Sequence, residues 1–391
     1  MKYFWLILPV MLAFIISGCR PENVENRTEE ESESIVFNTQ PESSSDDLFF
    51  TETEVTQIET EVLNTVSGVW DQYENLIYDD SPDAKASRIA DFTKEQRLSV
   101  AQAIGSEGVV VYTEDANTLN GGLLEEFYDN YRNHIPGSLT IYKVYNDGLI
   151  GTHTFLYRDE EIQIYNLGIK LGADKKPHIA GQGAIEIASI NYTEKGSFIY
   201  EYKRHYPHTS SFEYFRVSPM SDECRNLTKQ FLSGLEFQKY DLMITDWNEE
   251  TVAALLKPGI FEDFYCIRFR EYFKGHNDAI PEDLFEEILT TFLPVTIEDL
   301  RSSYEYNEEK HVYSQETIYP SPNPPFLEAT DYEFHPDGTI TLYADAVWPE
   351  KNTDCAFSNI IVIQPFDDGT FRILSNEVVE TEFVKKLKGK W

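Results

Sequence analysis

Positive charge is what this sequence has least of. It carries 32 Lys and Arg against 68 Asp and Glu, a formal net charge of −36. A surface that acidic repels phosphate backbones and anionic bilayer surfaces, so nucleic acid is excluded as a partner. Cysteine is also scarce: Cys19, Cys224, Cys266 and Cys355 are the whole set. No Cys-x-x-Cys pair occurs, which removes zinc ribbons and thioredoxin-type redox sites. Gly-x-Ser-x-Gly, His-Glu-x-x-His and the phosphate loop are all missing, and with them the motif-bearing esterases, zincins and P-loop enzymes. Neither a catalytic residue, a metal ligand set nor a cofactor site stands out, so no cofactor is expected.

Long apolar runs are absent too, with one exception at the start. Lys2 is followed by apolar residues from Phe4 to Ile16, then Ser17-Gly18-Cys19. The run is too short for a comfortable membrane span and has the order of a secretory signal: charge, apolar stretch, small residues, cut. The small-residue-then-Cys ending resembles a bacterial lipoprotein cleavage site. That resemblance implies removal of residues 1–18 and lipid on Cys19, the one site residue expected. Two or three acyl chains anchor stably where one would be marginal. The chain beyond Cys19 is then expected on the extracytoplasmic face of the cell membrane.

Residues 19–61 read as a tether. From Arg20 to Glu61 Ser, Thr and acids dominate, with only Arg20 and Arg27 positive. Such a segment buries too little apolar surface to offset its ordering entropy. As a flexible coil it spans about 35 Å, and like charges lengthen it.

The rest is long enough for two domains, expected at 62–220 and 221–391. Val62, Val66, Val69, Trp70 and Tyr73 have helical spacing, as do Leu123, Leu124, Phe127, Tyr128 and Tyr131. Another helix is expected from Thr93 to Ile104, and a β run at Val109–Tyr112. From Ser138 to Val217 the period turns to two, with strands at 139–145, 149–157, 162–171, 184–192, 197–205 and 212–217. Asn146-Asp147-Gly148 and Glu194-Lys195-Gly196 mark tight turns, so neighbours are antiparallel and the region is a meander. Helical spacing returns at Leu227, Phe231 and Leu235. Asp246 with Glu249 has capping-box spacing ahead of Val252, and further helices start near Pro281 and Thr296. Residues 305–330 read as a polar surface excursion. Asp337-Gly338 and Asp368-Gly369 then punctuate a three-stranded antiparallel sheet. Strands and helices kept apart predict an α+β fold without βαβ units.

Each candidate for chemistry has a plainer reading beside it. His205 and His208 flank Pro207 in a turn and lack a third ligand. His153 falls on a strand, where it faces a pocket or simply packs. Asp79, Asp80 and Asp83 lack the Asp-x-Asp-x-Asp-Gly spacing of a calcium loop. Gly181-Gln182-Gly183 reads as a glycine-flanked strand start. With 24 Tyr and 25 Phe, aromatic faces are available to stack on sugars, although antiparallel sheets use the same residues for packing. Lys385, Lys386, Lys388 and Lys390 form a basic tail, solvated or touching anionic polymer. Three pairings are open to Cys224, Cys266 and Cys355, against simple burial of each thiol.

Four stretches carry a family resemblance: Asn191–Tyr200, Glu223-Cys224-Arg225, Asp246–Glu250 and Phe366–Asn376. Across most of residues 90–380 the chain resembles an uncharacterised lipoprotein family of clostridia-type Gram-positive bacteria, a domain of unknown function similar to DUF6070. The resemblance implies a cell-surface address and no chemistry. The expected role is a non-catalytic binding or envelope-structural module, its partners the membrane through Cys19 and cell-wall material or another envelope protein. An envelope hydrolase acting on wall polymer is the alternative, which clustered acids with a raised carboxyl would favour. A transporter's solute-binding subunit is disfavoured, because those lobes are built on parallel sheets.

Overall fold

A computed structural model describes residues 49–381, apart from 70–76, 80–87, 91, 146–147, 172–175, 204–210, 236–240, 319–322 and 380. The fold is α+β, with a large, mostly antiparallel sheet, as the sequence predicts. The signal segment, Cys19, the tether to residue 48, the His205/His208 turn, Asp80 and Asp83, and the lysine tail lie outside the described residues. No helix among those described is long and apolar enough to cross a membrane.

The first helix, α1 (Glu52–Ser67), takes in the last ten residues expected for the tether. Thr51 and Glu54 form a capping box, and Glu52 and Glu54 favour the positive end of the helix dipole. The acids that suggest a solvated spacer are, at its end, helix-starting residues. Val62 and Val66 face inward. The strands β1 (Ile77–Asp79) and β2 (Arg88–Ala90) form a small hairpin. Then come α2 (Lys94–Gly105), β3 (Val110–Tyr112), α3 (Gly122–Arg132) and six further strands: β4 (Gly137–Val144), β5 (Ile150–Arg158), β6 (Glu161–Leu171), β7 (Pro177–Tyr192), β8 (Ser197–Tyr202) and β9 (Ser211–Arg216). Strands β3 to β9 make one seven-stranded sheet in sequence order. All neighbours are antiparallel except β3 and β4, which run parallel across α3. That edge is a βαβ unit, which the sequence reading excluded. Leu119 pairs with Val111 and turns the chain into α3, so no tight hairpin joins β3 to β4.

Strand β7 bends this sheet. Its residues 177–186 pair with β6 and 187–192 pair with β8, with a register shift between Ile187 and Ser189. Such a bulge turns a strand. The two halves therefore face one another. In a flat sheet β4 and β9 would lie about 24 Å apart, yet the side chains of Lys143 on β4 and Glu213 on β9 meet at 2.6 Å. One face, carrying Tyr142, Val144, Ile150, Leu167 and Ile169, packs on α1 and α2. The inner face holds Ile141, Phe155, Ile164, Phe198, Tyr200 and Phe215, with Leu124 and Phe127 of α3. Gly181 and Gly183 sit within β7, opposite Gly168 and Asn166, and not at a strand start.

The second half carries α4 (Asp222–Leu227), α5 (Ile260–Phe269), β10 (Ile280–Pro281), α6 (Glu282–Phe292), α7 (Ile297–Ser303), β11 (Glu305–Asn307), β12 (Val312–Ser314), β13 (Phe326–Phe334), β14 (Ile340–Val347), β15 (Ser358–Pro365) and β16 (Phe371–Val379). The excursion expected at 305–330 contains β11, β12 and the start of β13, which have too few residues to show alternation. β10, β12 and β11 form a three-stranded antiparallel sheet, and the strands expected at the C-terminus are joined by a fourth, giving the order β13-β14-β15-β16. The helix expected after Asp246 is only a 3-10 turn at Val252–Leu255. Asp246 accepts from the backbone N–H of Val378 instead of capping. Phe264 of α5 stacks on Phe292 of α6 at 4.8 Å, and Phe292 meets Phe371 of β16. The core of this half thus lies between helices and sheet.

Candidate functional site

The inner face of the curled sheet should be wholly apolar. It is not. Lys143 projects from β4, His153 from β5, Tyr200 and Tyr202 from β8 and Glu213 from β9. Side chains alternate along a strand, so each takes the inward parity of its neighbours: Ile141 beside Lys143, Phe155 beside His153, Phe198 beside Tyr200, Phe215 beside Glu213. Lys143 and His153 are 1% exposed and Tyr200 is fully buried.

Glu213 is the hub. Lys143 donates to its Oε2 at 2.6 Å, Tyr202 to its Oε1 at 2.7 Å, and Tyr200 also to Oε2. The Tyr200 hydroxyl lies 2.7 Å from Nδ1 of His153. Its single proton goes to Glu213, so Nδ1 of His153 carries a proton and donates to the Tyr200 oxygen. The Lys143 ammonium also sits 4.6 Å over the Phe215 ring. Burial acts to raise the Glu213 carboxyl, but the Lys143 charge and the hydrogen bonds from Lys143 and Tyr200 outweigh it, holding the carboxyl down at about 2. Burial pushes the Lys143 ammonium down, and Glu213 opposes this. Burial and the Lys143 charge together push His153 down to about 3, so its ring is neutral. Burial, then Glu213, raises both tyrosine hydroxyls.

What this arrangement does chemically is hold shape. The carboxylate that would act as a base is already engaged by three donors, and the lysine that would act as a nucleophile is paired and enclosed. The network clips β9 to β4 across the curl.

A second polar group joins the two halves. Glu328 on β13 pairs in register with Asp345 on β14. Arg216 at the end of β9 donates to Glu328, Lys195 in the β7–β8 turn contacts Asp345, and Thr193 donates to Asp354. Ser358 donates to Asp345 at 2.6 Å, and the Cys355 thiol lies 3.4 Å from the same carboxylate. Burial raises the Glu328 carboxyl, and Asp354 and Asp345 add to this against the pull of Arg216. Cys224 and Cys355 are free thiols, so none of the three pairings open to Cys224, Cys266 and Cys355 forms.

Of the sequence candidates among the described residues, His153 enters the buried network as a neutral partner of Tyr200, and Cys355 lies beside Asp345 in the second polar group. Asp79 lies on β1. Lys143 and Glu213 escaped the sequence reading. Their signal was a charge at an inward position of an otherwise apolar strand face, visible only once the facing strands are known.

No curated protein and no solved structure matches the chain. The model of the Family of unknown function (DUF6070) matches residues 55–387. That span runs from within α1 past the last described strand, and the chain belongs to this family.

Proposed function

We propose that this protein is an envelope lipoprotein, lipid-anchored through Cys19 on the extracytoplasmic face of the membrane, with a non-catalytic binding or structural body. The observation that carries the proposal is the order Lys2, apolar Phe4–Ile16, then Ser17-Gly18-Cys19. The acidic stretch from Glu22 to Asp47 supports it as a spacer. The body supports the non-catalytic part, because its most concentrated polar network is enclosed and mutually satisfied.

The hydrolase alternative has one favouring observation, the raised Glu328 carboxyl beside Asp345 and Asp354. Arg216, Lys195, Thr193 and Ser358 engage these acids, and Glu328 is 8% exposed. That is the pattern of a junction and not of a cleft.

The test is metabolic labelling with an alkyne fatty acid in a bacterial host. The wild-type chain should take up label and sediment with membranes. Cys19→Ala should lose the label. Label that persists in the Cys19→Ala variant, or no label in the wild type, sinks the lipoprotein assignment.

A further inference from the structure

Three tyrosines that the core does not fully use lie side by side near the surface. Tyr128 and Tyr131 stand at i and i+3 on α3, one helical face. Their rings are 6.3 Å apart and inclined by only 24°. Tyr192, the last residue of β7, continues the row: its ring is 6.0 Å from that of Tyr128, at 32°. Each of the three is half-buried, packed against the inner cluster on one side and open to solvent on the other. At the far end the Tyr157 ring meets Tyr131 edge-on at 4.9 Å and props it.

The row is held in place by polar ties. Tyr128 donates to Oδ1 of Asn191 at 3.1 Å, and Tyr192 donates to Oε1 of Glu125 at 2.7 Å. Asn191 in turn donates to the backbone carbonyl of Asn352 in the second half. The rings are thus fixed before any ligand arrives, which lowers the ordering cost of binding. Exposed polar groups flank them: Glu125, Glu126, Asp129 and Arg132, with the Arg132 guanidinium 6.0 Å from the Tyr128 ring.

Near-parallel aromatic rings in a line, rimmed by hydrogen-bonding groups, suit a ligand that is itself a flat ribbon of apolar faces and polar edges. An extended, β-linked glycan has that shape, with C–H faces for the rings and hydroxyls for the rim. Charge narrows the class. Three carboxylates against one guanidinium disfavour an anionic polymer, as does the net charge of −36. We propose that Tyr131, Tyr128 and Tyr192 form a binding platform for a neutral, β-linked glycan chain. This deepens the envelope-binding reading and rests on it for the source of the glycan. The labelling of Cys19 is read independently, so lipidation and glycan binding can fail separately.

The experiment is isothermal titration calorimetry of the full chain in detergent with chitohexaose. Wild type should bind saturably. Tyr128→Ala and Tyr192→Ala should each weaken binding at least tenfold, and Tyr128→Phe, which keeps the ring, should stay within threefold. A melting curve for each variant reports folding, and Tyr131→Ala replaces any variant that does not fold. A carboxylated hexasaccharide, hexagalacturonate, should bind at least tenfold more weakly than chitohexaose. The platform is overturned by no saturable heat with wild type, or by alanine variants that bind as wild type does. Tighter binding of hexagalacturonate overturns the neutral class.

Discussion

Neutralising Glu213 while leaving Lys143 in place tests whether the sheet is clipped as described. Glu213→Gln keeps the shape of the side chain and an acceptor oxygen for one of the two tyrosine hydroxyls. It removes the carboxylate that pairs at 2.6 Å with an ammonium that is 1% exposed. Breaking a buried pair from one side costs about 3–5 kcal/mol, because the remaining charge stays desolvated. Lys143→Met, which strands Glu213, should cost a similar amount. The double variant removes both charges, so its loss should fall short of the sum of the singles by about 2–3 kcal/mol. Urea unfolding at pH 7 measures all three against wild type, and the midpoints are comparable if the slopes stay equal. Two results would refute the reasoning: a single variant losing less than about 1 kcal/mol, the scale of an exposed pair, or singles that add within about 0.5 kcal/mol.

Mild acid should also weaken the fold. The buried His153 ring protonates at about 3 in the fold against 6.5 when free, so the unfolded chain takes up the proton first and stability falls as pH drops from 6.5 toward 3. At pH 5 that amounts to about 2 kcal/mol. Glu213 adds its own loss from 4.5 down to about 2, where its carboxylate finally protonates in the fold. Comparing urea midpoints at pH 7 and pH 5 for wild type and His153→Gln isolates the histidine; an unchanged difference in the variant would remove His153 from the account. Gly196→Ala should destabilise by about 2–5 kcal/mol, from strain at positive φ and overpacking. Gly196 has φ +84 and an added Cβ would lie 1.8 Å from the Ser218 hydroxyl. A melting temperature within a degree of wild type would contradict the turn geometry.

How far the fold was legible follows from what each element depends on. Strands β4 to β9 announce themselves by alternation and by turn residues, and both are local. α2 and α7 carry their own start signals, Thr93 with Gln96 and Thr296 with Asp299. α5 carries none. Its N-terminal neighbour is Gly259 at φ 93, and its sequence Ile-Phe-Glu-Asp-Phe-Tyr-Cys-Ile-Arg-Phe is apolar on several sides because it is buried on several sides. Asp246 misled for the opposite reason. Its capping-box spacing was present, but Val378, 132 residues away, took the carboxylate. A local rule fails where a distant partner wins, and no window of sequence contains that partner.

The polar network is invisible in the sequence for the same reason, and His153 stands out there only as a histidine on a strand. Alternation gives each strand two faces but does not say which face is enclosed. That is decided by β7, whose change of partner between Glu186 and Ile187 folds the sheet over itself. Once it does, an inward lysine on β4 would be left as a buried, unpaired charge unless a carboxylate arrived from the facing half. Glu213 supplies it, and Tyr200, Tyr202 and His153 satisfy what remains. Buried charges are costly and apolar residues of equal volume would often serve stability as well. A curled sheet closed by apolar contacts alone could slide by two residues and keep its inward faces. An ammonium on β4 that must meet a carboxylate on β9 allows a single register. Tyr192 and Asn191, at the end of the bent strand, are fixed by that register beside α3. The clip inside the curl thereby sets the position of the tyrosine row outside it.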